Sequence, residues 1–262
     1  VRIARFSVDD EPKYGIVETD DPEGLVGTVA LLDSDPLYRP VQLTGEVLQL
    51  ADVRLLSPVI PRSKVVCVGR NYAAHAAELG NEVPKEPMIF LKPNTSVVGP
   101  LDGIVYPEQT NDLQFEGELA IVIGRICRDL PKERAEEVIF GYTIANDVTA
   151  RDLQKSDGQW ARAKGYDTFC PLGPWIQTDL DVADLRVTTT LNGDLKQDGR
   201  TSQFIFDIPT VLAYITSFTT LLPGDVVLTG TPAGVGPMLP GDSVSITVEG
   251  LGTLTNRVIV RD

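Results

Sequence analysis

The sequence predicts a β-dominated α+β protein, with a small strand-rich α+β unit over residues 1–60 ahead of a larger domain over residues 61–262. Three observations carry that expectation. Runs of strand length, alternating or apolar throughout, recur along the whole chain. Only four stretches carry helix start signals, and strands and helices do not alternate at the regular βαβ spacing of a doubly wound sheet.

Taken in order, Val1 to Phe6, Gly15 to Glu18 and Leu25 to Leu31 read as short strands separated by acidic turns such as Asp9-Asp10 and Asp20-Asp21. The two prolines of SPVIPRS suit a linker, so the main domain begins near residue 61. Lys64 to Val68 then opens a buried strand. Further strands are expected at Met88 to Leu91, Glu118 to Ile123, Phe140 to Asn146, Arg186 to Leu191 and Val226 to Thr229. Val244 to Val248 and Thr253 to Val260 form a hairpin around Gly250-Leu251-Gly252. Helices are expected at Tyr72 to Leu79, capped by Asn71; at Lys132 to Glu137, entered by Pro131; at Ala150 to Lys155; and at Pro209 to Phe218, capped by Asp207.

A formal charge of -14 argues against nucleic acid or an anionic membrane as partner, because either wants a basic face. No apolar run approaches the length of a membrane span. Cys67, Cys127 and Cys170 are odd in number and lack CxxC spacing, so they read as reduced thiols of a cytoplasmic protein. In so acidic a chain, an anionic substrate needs a local cationic pocket.

Glu116 and Glu118 are one residue apart, and Asp147 opens the run NDVTARDLQ. Residues i and i+2 of a strand share a face, so both glutamates can reach one ion. Acidic pairs of this spacing recur by chance in a chain with 37 acidic residues. What distinguishes this one is FEGELAIVIG, where Ala120 and Val122 continue one face and Leu119, Ile121 and Ile123 fill the other. A strand apolar on both faces is a core strand, and carboxylates at its mouth need a partner against desolvation. Three carboxylates without cysteine make a hard oxygen site suited to Mg²⁺ or Mn²⁺.

His75, the single histidine, stands three residues before Glu78, so on a helix the two share a face and can form a base dyad; a half-buried helical histidine is the plainer alternative. Arg151 follows Asp147 by one helical turn, Gln154 lies three further, and Lys164 stands in WARAKGYD. The TGTPAGVG segment offers backbone amides and the Thr231 hydroxyl to a carboxylate, or is simply a glycine-rich turn. It matches no nucleotide-binding loop.

VGRNYAAH, MIFLKP, FEGELAIVIG, YTIANDVTARDLQ, KGYDTFCPLGPW and LTGTPAGVGPM, in this order and spacing, resemble the fumarylacetoacetate hydrolase family over residues 61–260. The resemblance implies a mixed β-roll catalytic domain, a homodimer, and one Mg²⁺ or Mn²⁺ that binds a small anionic 2-oxo acid. On this sequence the family's metal ligands match Glu116, Glu118 and Asp147, and its catalytic pair matches His75 and Glu78. Lys164, as an oxyanion-stabilising catalytic group, and Arg151, Gln154 and Thr231, as substrate-binding residues, complete the implied site. The long animal enzymes carry a further metal-binding aspartate where this chain has Val68, which places it in a short branch of acylpyruvate hydrolases, oxaloacetate decarboxylases and tautomerases, and 2-hydroxyhepta-2,4-diene-1,7-dioate isomerases. The leading expectation is decarboxylation of oxaloacetate or hydrolysis of an acylpyruvate through an enolate. Isomerisation of the dienedioate or tautomerisation of oxaloacetate stands second, and a non-catalytic metal-binding scaffold last, since His75, Glu78 and Lys164 are all present.

Overall fold

The computed structural model describes residues 1–21, 26–78, 80 and 82–261. Five strands come before residue 60: β1 (Arg2–Val8), β2 (Glu11–Glu18), β3 (Thr28–Leu32), β4 (Leu43–Gln49) and β5 (Arg54–Leu56). β6 (Val65–Gly69), helix α1 (Ala73–Glu78), β7 (Met88–Lys92), β8 (Val97–Val98), β9 (Gly103–Val105) and β10 (Leu113–Phe115) follow. The centre of the chain forms β11 (Gly117–Ile123), β12 (Ile139–Asn146), β13 (Thr149–Ala150), α2 (Arg151–Asp157), α3 (Ala161–Gly165) and β14 (Cys170–Gln177). It closes with β15 (Arg186–Leu191), β16 (Asp194–Arg200), α4 (Ile208–Phe218), β17 (Val226–Leu228), β18 (Gly236–Pro237), β19 (Ser243–Val248) and β20 (Gly252–Ile259). The architecture is the expected β-dominated α+β fold with a strand-rich N-terminal unit.

Among the described residues the strands build three sheets of 12, 3 and 5 strands. The largest runs β4-β3-β2-β1-β14-β12-β11-β17-β6-β7, so it crosses from the N-terminal unit into the main domain where β1 pairs antiparallel with β14. β11 lies near the middle and is buried along its whole length. Leu119, Ile121 and Ile123 enter one apolar core with Val187, Ile246 and Val248 of the five-stranded sheet and with Val211, Leu212 and Ile215 of α4. Ala120 and Val122 enter another with Val65, Cys67 and Leu172. The two-sided apolar pattern of this strand therefore reports two cores, one on each face.

Several expected elements change. Lys132–Val138 is a 3₁₀ helix, and residues 1–60 contain a 3₁₀ turn (Leu50–Asp52) but no α-helix among those described. Tyr72 precedes α1, and Leu79, like Leu25, lies outside the described residues. Asn71 does not cap that helix: its amide donates to the carbonyls of Phe206 and Thr229, and its oxygen accepts from the Phe206 N–H. A side chain with three hydrogen bonds to two distant residues is better satisfied there than at a helix end. Asp207 does cap α4, accepting from the Thr210 N–H at 2.9 Å. Glu116 does not belong to the same strand as Glu118; it occupies the break between β10, which joins the three-stranded sheet, and β11. Sequence reading passed over β14, whose Pro171 and Pro174 argue against a central strand, and β16, whose polar DLKQDGR shows no alternation.

Candidate active site

The β11–β12 pairing sets the acidic cluster. The antiparallel register places Gly117 opposite Asn146 and Glu118 opposite Ala145, so Asp147, just past the end of β12, falls beside Glu116. Two bonds lock the pair: the Asp147 N–H donates to the Glu116 carbonyl at 2.9 Å, and the Glu116 N–H donates to Asn146 Oδ1 at 3.0 Å. Carboxylate oxygens of Glu116, Glu118 and Asp147 then all lie within 4.8 Å of one another, and all three residues are buried.

Three cations stand against them. Lys164 Nζ, on α3, bridges Glu116 Oε2 at 2.8 Å and Asp147 Oδ2 at 2.7 Å. Arg151, the first residue of α2, donates to Glu116 Oε1 at 2.5 Å, and also to Gln114 and Gln154. Lys92, at the end of β7, donates to Asp147 Oδ1 at 2.5 Å and to the Val148 carbonyl. Although burial alone would raise it, Lys164 and Arg151 hold the Glu116 carboxyl well below the usual range. Burial also opposes the charge on Lys164, but the Asp147 and Glu116 carboxylates win and raise its pKa.

Glu118 is different. Its carboxylate accepts from the Gly230 N–H at 2.6 Å, and among the described residues it has no cation of its own. Burial first, then the charges of Asp147 and Glu116, push its carboxyl well above the ordinary range. A carboxylate 2% exposed beside two others is costly unless a cation shares it, so the donor set fits a divalent metal ion.

His75 and Glu78 stand one turn apart on α1, with His75 Nδ1 3.3 Å from Glu78 Oε2. Glu78 is fixed in turn by the Gly234 N–H, at 3.0 and 3.2 Å from its two oxygens. The TGTPAGVG amides at Gly230 and Gly234 thus hold the protein's own carboxylates, Glu118 and Glu78. Thr231 is engaged as well, since Oγ1 donates to the Gly117 carbonyl and accepts from Gln197.

His75, Glu78, Glu116, Glu118, Asp147, Arg151, Gln154, Lys164 and Thr231 all line one cavity of about 410 Å³, so every candidate residue of the sequence converges there. Arg70, Phe90, Lys155 and Trp160 share its wall. Sequence reading missed these and Lys92. The signal for Lys92 was a lysine at the end of the apolar run MIFL.

A β-dominated fold carrying a buried triad of carboxylates, with a histidine–glutamate pair in the same cavity, defines a metal-binding enzyme, and residues 64–259 match the fumarylacetoacetate hydrolase C-terminal family. The chain belongs to that family; residues 1–58 match the Rv2993c-like N-terminal family. It is 53% identical to Protein Rv2993c of Mycobacterium tuberculosis over 99% of this chain and 98% of that one. It is 42% identical to the human mitochondrial oxaloacetate tautomerase FAHD2A over 81% of this chain and 72% of that one. Among solved structures, 2-hydroxyhepta-2,4-diene-1,7-dioate isomerase from Mycobacterium marinum is similar at TM-score 0.92 and 50% identity, covering 99% of this chain and 98% of that one. Fumarylpyruvate hydrolase from Pseudomonas aeruginosa, solved with Mn²⁺ and pyruvate, is similar at TM-score 0.73 and 35% identity over 77% of this chain and 91% of that one.

Proposed function

We propose that this chain is a tautomerase or isomerase that moves a proton on a small 2-oxo dicarboxylate without breaking its carbon skeleton, with Mg²⁺ or Mn²⁺ held by Glu116, Glu118 and Asp147. The charge immediately around the carboxylate triad carries the reading. Three carboxylates face the three cations Lys92, Arg151 and Lys164, so a divalent ion leaves a surplus of two positive charges. A dianionic substrate neutralises that surplus, whereas a neutral or monoanionic one does not.

Held by Glu116, Glu118 and Asp147, a divalent ion would supply a Lewis acid that stabilises negative charge developing on the 2-oxo acid. In tautomerisation the C3–H bond breaks, its electron pair enters the C2–C3 bond, and a proton is placed on the C2 oxygen. His75 is the proton carrier, and Glu78 orients its imidazole. Isomerisation differs in returning the proton at a more distant carbon. Neither reaction needs an activated water or a leaving group. Relatives named as an oxaloacetate tautomerase and a dienedioate isomerase support this chemistry over the decarboxylation or acylpyruvate hydrolysis that the sequence favoured. A homodimer is part of the same proposal, to be checked by light scattering.

Steady-state assays with Mg²⁺ or Mn²⁺ test the reading. Loss of enol-oxaloacetate absorbance is to be followed beside pyruvate release, with the dienedioate and acetylpyruvate in parallel. Faster enol loss than pyruvate release is expected. Equal rates would make the protein a decarboxylase, and the highest kcat/KM on acetylpyruvate would make it a hydrolase.

A further inference from the structure

We propose that Arg70 and Lys155 form an outer carboxylate subsite, so that the cavity binds 2-oxo dicarboxylates in preference to 2-oxo monocarboxylates of the same length. This rests on the proposed 2-oxo dicarboxylate chemistry and names residues that read the far end of the substrate.

The cations of the cavity fall into two groups. Arg151 and Lys164 are committed to Glu116 and Asp147, with Lys92 behind them. Half-buried Arg70 and exposed Lys155 line the same cavity and, among the described residues, have no hydrogen-bond or ion-pair partner. Two uncommitted cations lining one cavity, in a chain of net charge -14, are available to an anion that enters it. They come from different elements. Lys155 lies one helical turn beyond Arg151 on α2, and Arg70 follows directly on β6.

The place of Arg70 is enforced. Its backbone adopts φ 58°, a left-handed conformation that costs a non-glycine residue free energy. The next residue, Asn71, is tied by its side chain to Phe206 and Thr229, and the preceding Gly69 packs so closely on Trp160 that a Cβ there would lie 2.9 Å from the indole. Surrounding structure therefore sets where the guanidinium starts.

An aromatic pair connects the two groups of cations. Lys164 Nζ lies 4.9 Å from the Phe90 ring centre, the Phe90 and Trp160 centroids are 5.2 Å apart, and Trp160 contacts Gly69, next to Arg70. Followed from neighbour to neighbour, the lining of the cavity thus runs cation, two aromatic rings, cation. That order matches a molecule with an anionic 2-oxo acid head, an apolar or unsaturated body, and a second carboxylate.

Calorimetry on the Mn²⁺-loaded protein tests this with 2-oxoadipate and 2-oxohexanoate, which have the same length but differ in the far carboxylate. The wild type binds 2-oxoadipate more tightly. Arg70→Gln should lower that preference about tenfold, and Lys155→Gln, at an exposed position, about threefold. An unchanged preference in both variants, or no preference in the wild type, overturns the subsite. If Arg70→Gln does not fold, Lys155→Gln decides alone. Turnover of the compounds is measured separately: lost selectivity in the variants with no tautomerase activity in the wild type upholds the subsite and sinks the reaction, while activity with unaltered selectivity does the reverse.

Discussion

Glu118 carries more of the metal argument than its neighbours, because Glu116 and Asp147 already have cationic partners while Glu118 has a backbone amide. Glu118→Ala should therefore abolish most Mn²⁺ binding at micromolar ion while the fold survives. Titration calorimetry with unaltered affinity would remove the triad as a metal site. His75 belongs to a different function. With three oxygen ligands proposed for the ion and Glu78 at 3.3 Å, its role in the proposed reaction is to carry protons. His75→Ala should lower kcat by about 10² to 10⁴ with Mn²⁺ affinity near wild type. Activity restored by extra metal would instead make His75 a ligand.

At the scale of elements, the glycine between the two glutamates explains how Glu118, on the core strand β11, and Glu116, in the break before it, come to the same site. Gly117 lies where β11 meets the five-stranded sheet, and a Cβ there would overlap Thr189 Oγ1 and come within 3.0 Å of Ile246. Its N–H and carbonyl are held by Gln197 and Thr231. Gly117→Ala should cost about 1–3 kcal/mol by overpacking and weaken Mn²⁺ binding as well, since the strand that moves bears Glu118. Thermal melts and metal titration of one preparation check both, and a stable variant with full metal affinity would show that the contact relaxes cheaply.

The entry to the main domain is pinned in a comparable way. Asp225, just before β17, accepts from the N–H groups of Ser63, Lys64 and Leu222, from the Ser63 hydroxyl and from Lys64 Nζ. Burial opposes the charge, but the bonds from Lys64, Leu222 and Ser63 outweigh it and lower the Asp225 pKa. A depressed carboxylate stabilises the fold fully above its unfolded pKa, and that contribution fades as pH falls from about 4 toward the folded value. Asp225→Asn should thus destabilise the protein at neutral pH by about 2–4 kcal/mol. It should also flatten the stability profile below about pH 4. Denaturant melts of the two proteins that run parallel across that range would refute the assignment.

Over the whole molecule, the N-terminal unit and the main domain share a sheet. Trp175 of β14 is buried among Ala4, Phe6, Val17, Val29, Leu31 and Leu50. Removing residues 1–60 would strip both the β1 pairing and this cover from β14, two strands away from β11. The shortened chain should show a red-shifted tryptophan emission and a lower Tm, and should associate through the exposed edge. Unchanged emission and Tm would show that the main domain stands independently. No described helix is long and apolar enough to cross a membrane.

Local chemistry, by itself, determined the family through six ordered blocks, the buried β11 through its two-sided apolar pattern, the α4 cap at Asp207, and the carboxylates and dyad that the cavity gathers. These are legible because periodicity reports burial and residue type reports chemistry over a few neighbouring positions. Only the tertiary structure decided what each polar group meets. It set the register that places Asp147 beside Glu116, aimed Lys92 and Lys164 at the acids, gave the glycine-loop amides to Glu118 and Glu78, and inserted a strand with two prolines beside β1. Those outcomes depend on desolvation and hydrogen-bond competition between residues far apart along the chain, to which local periodicity is blind.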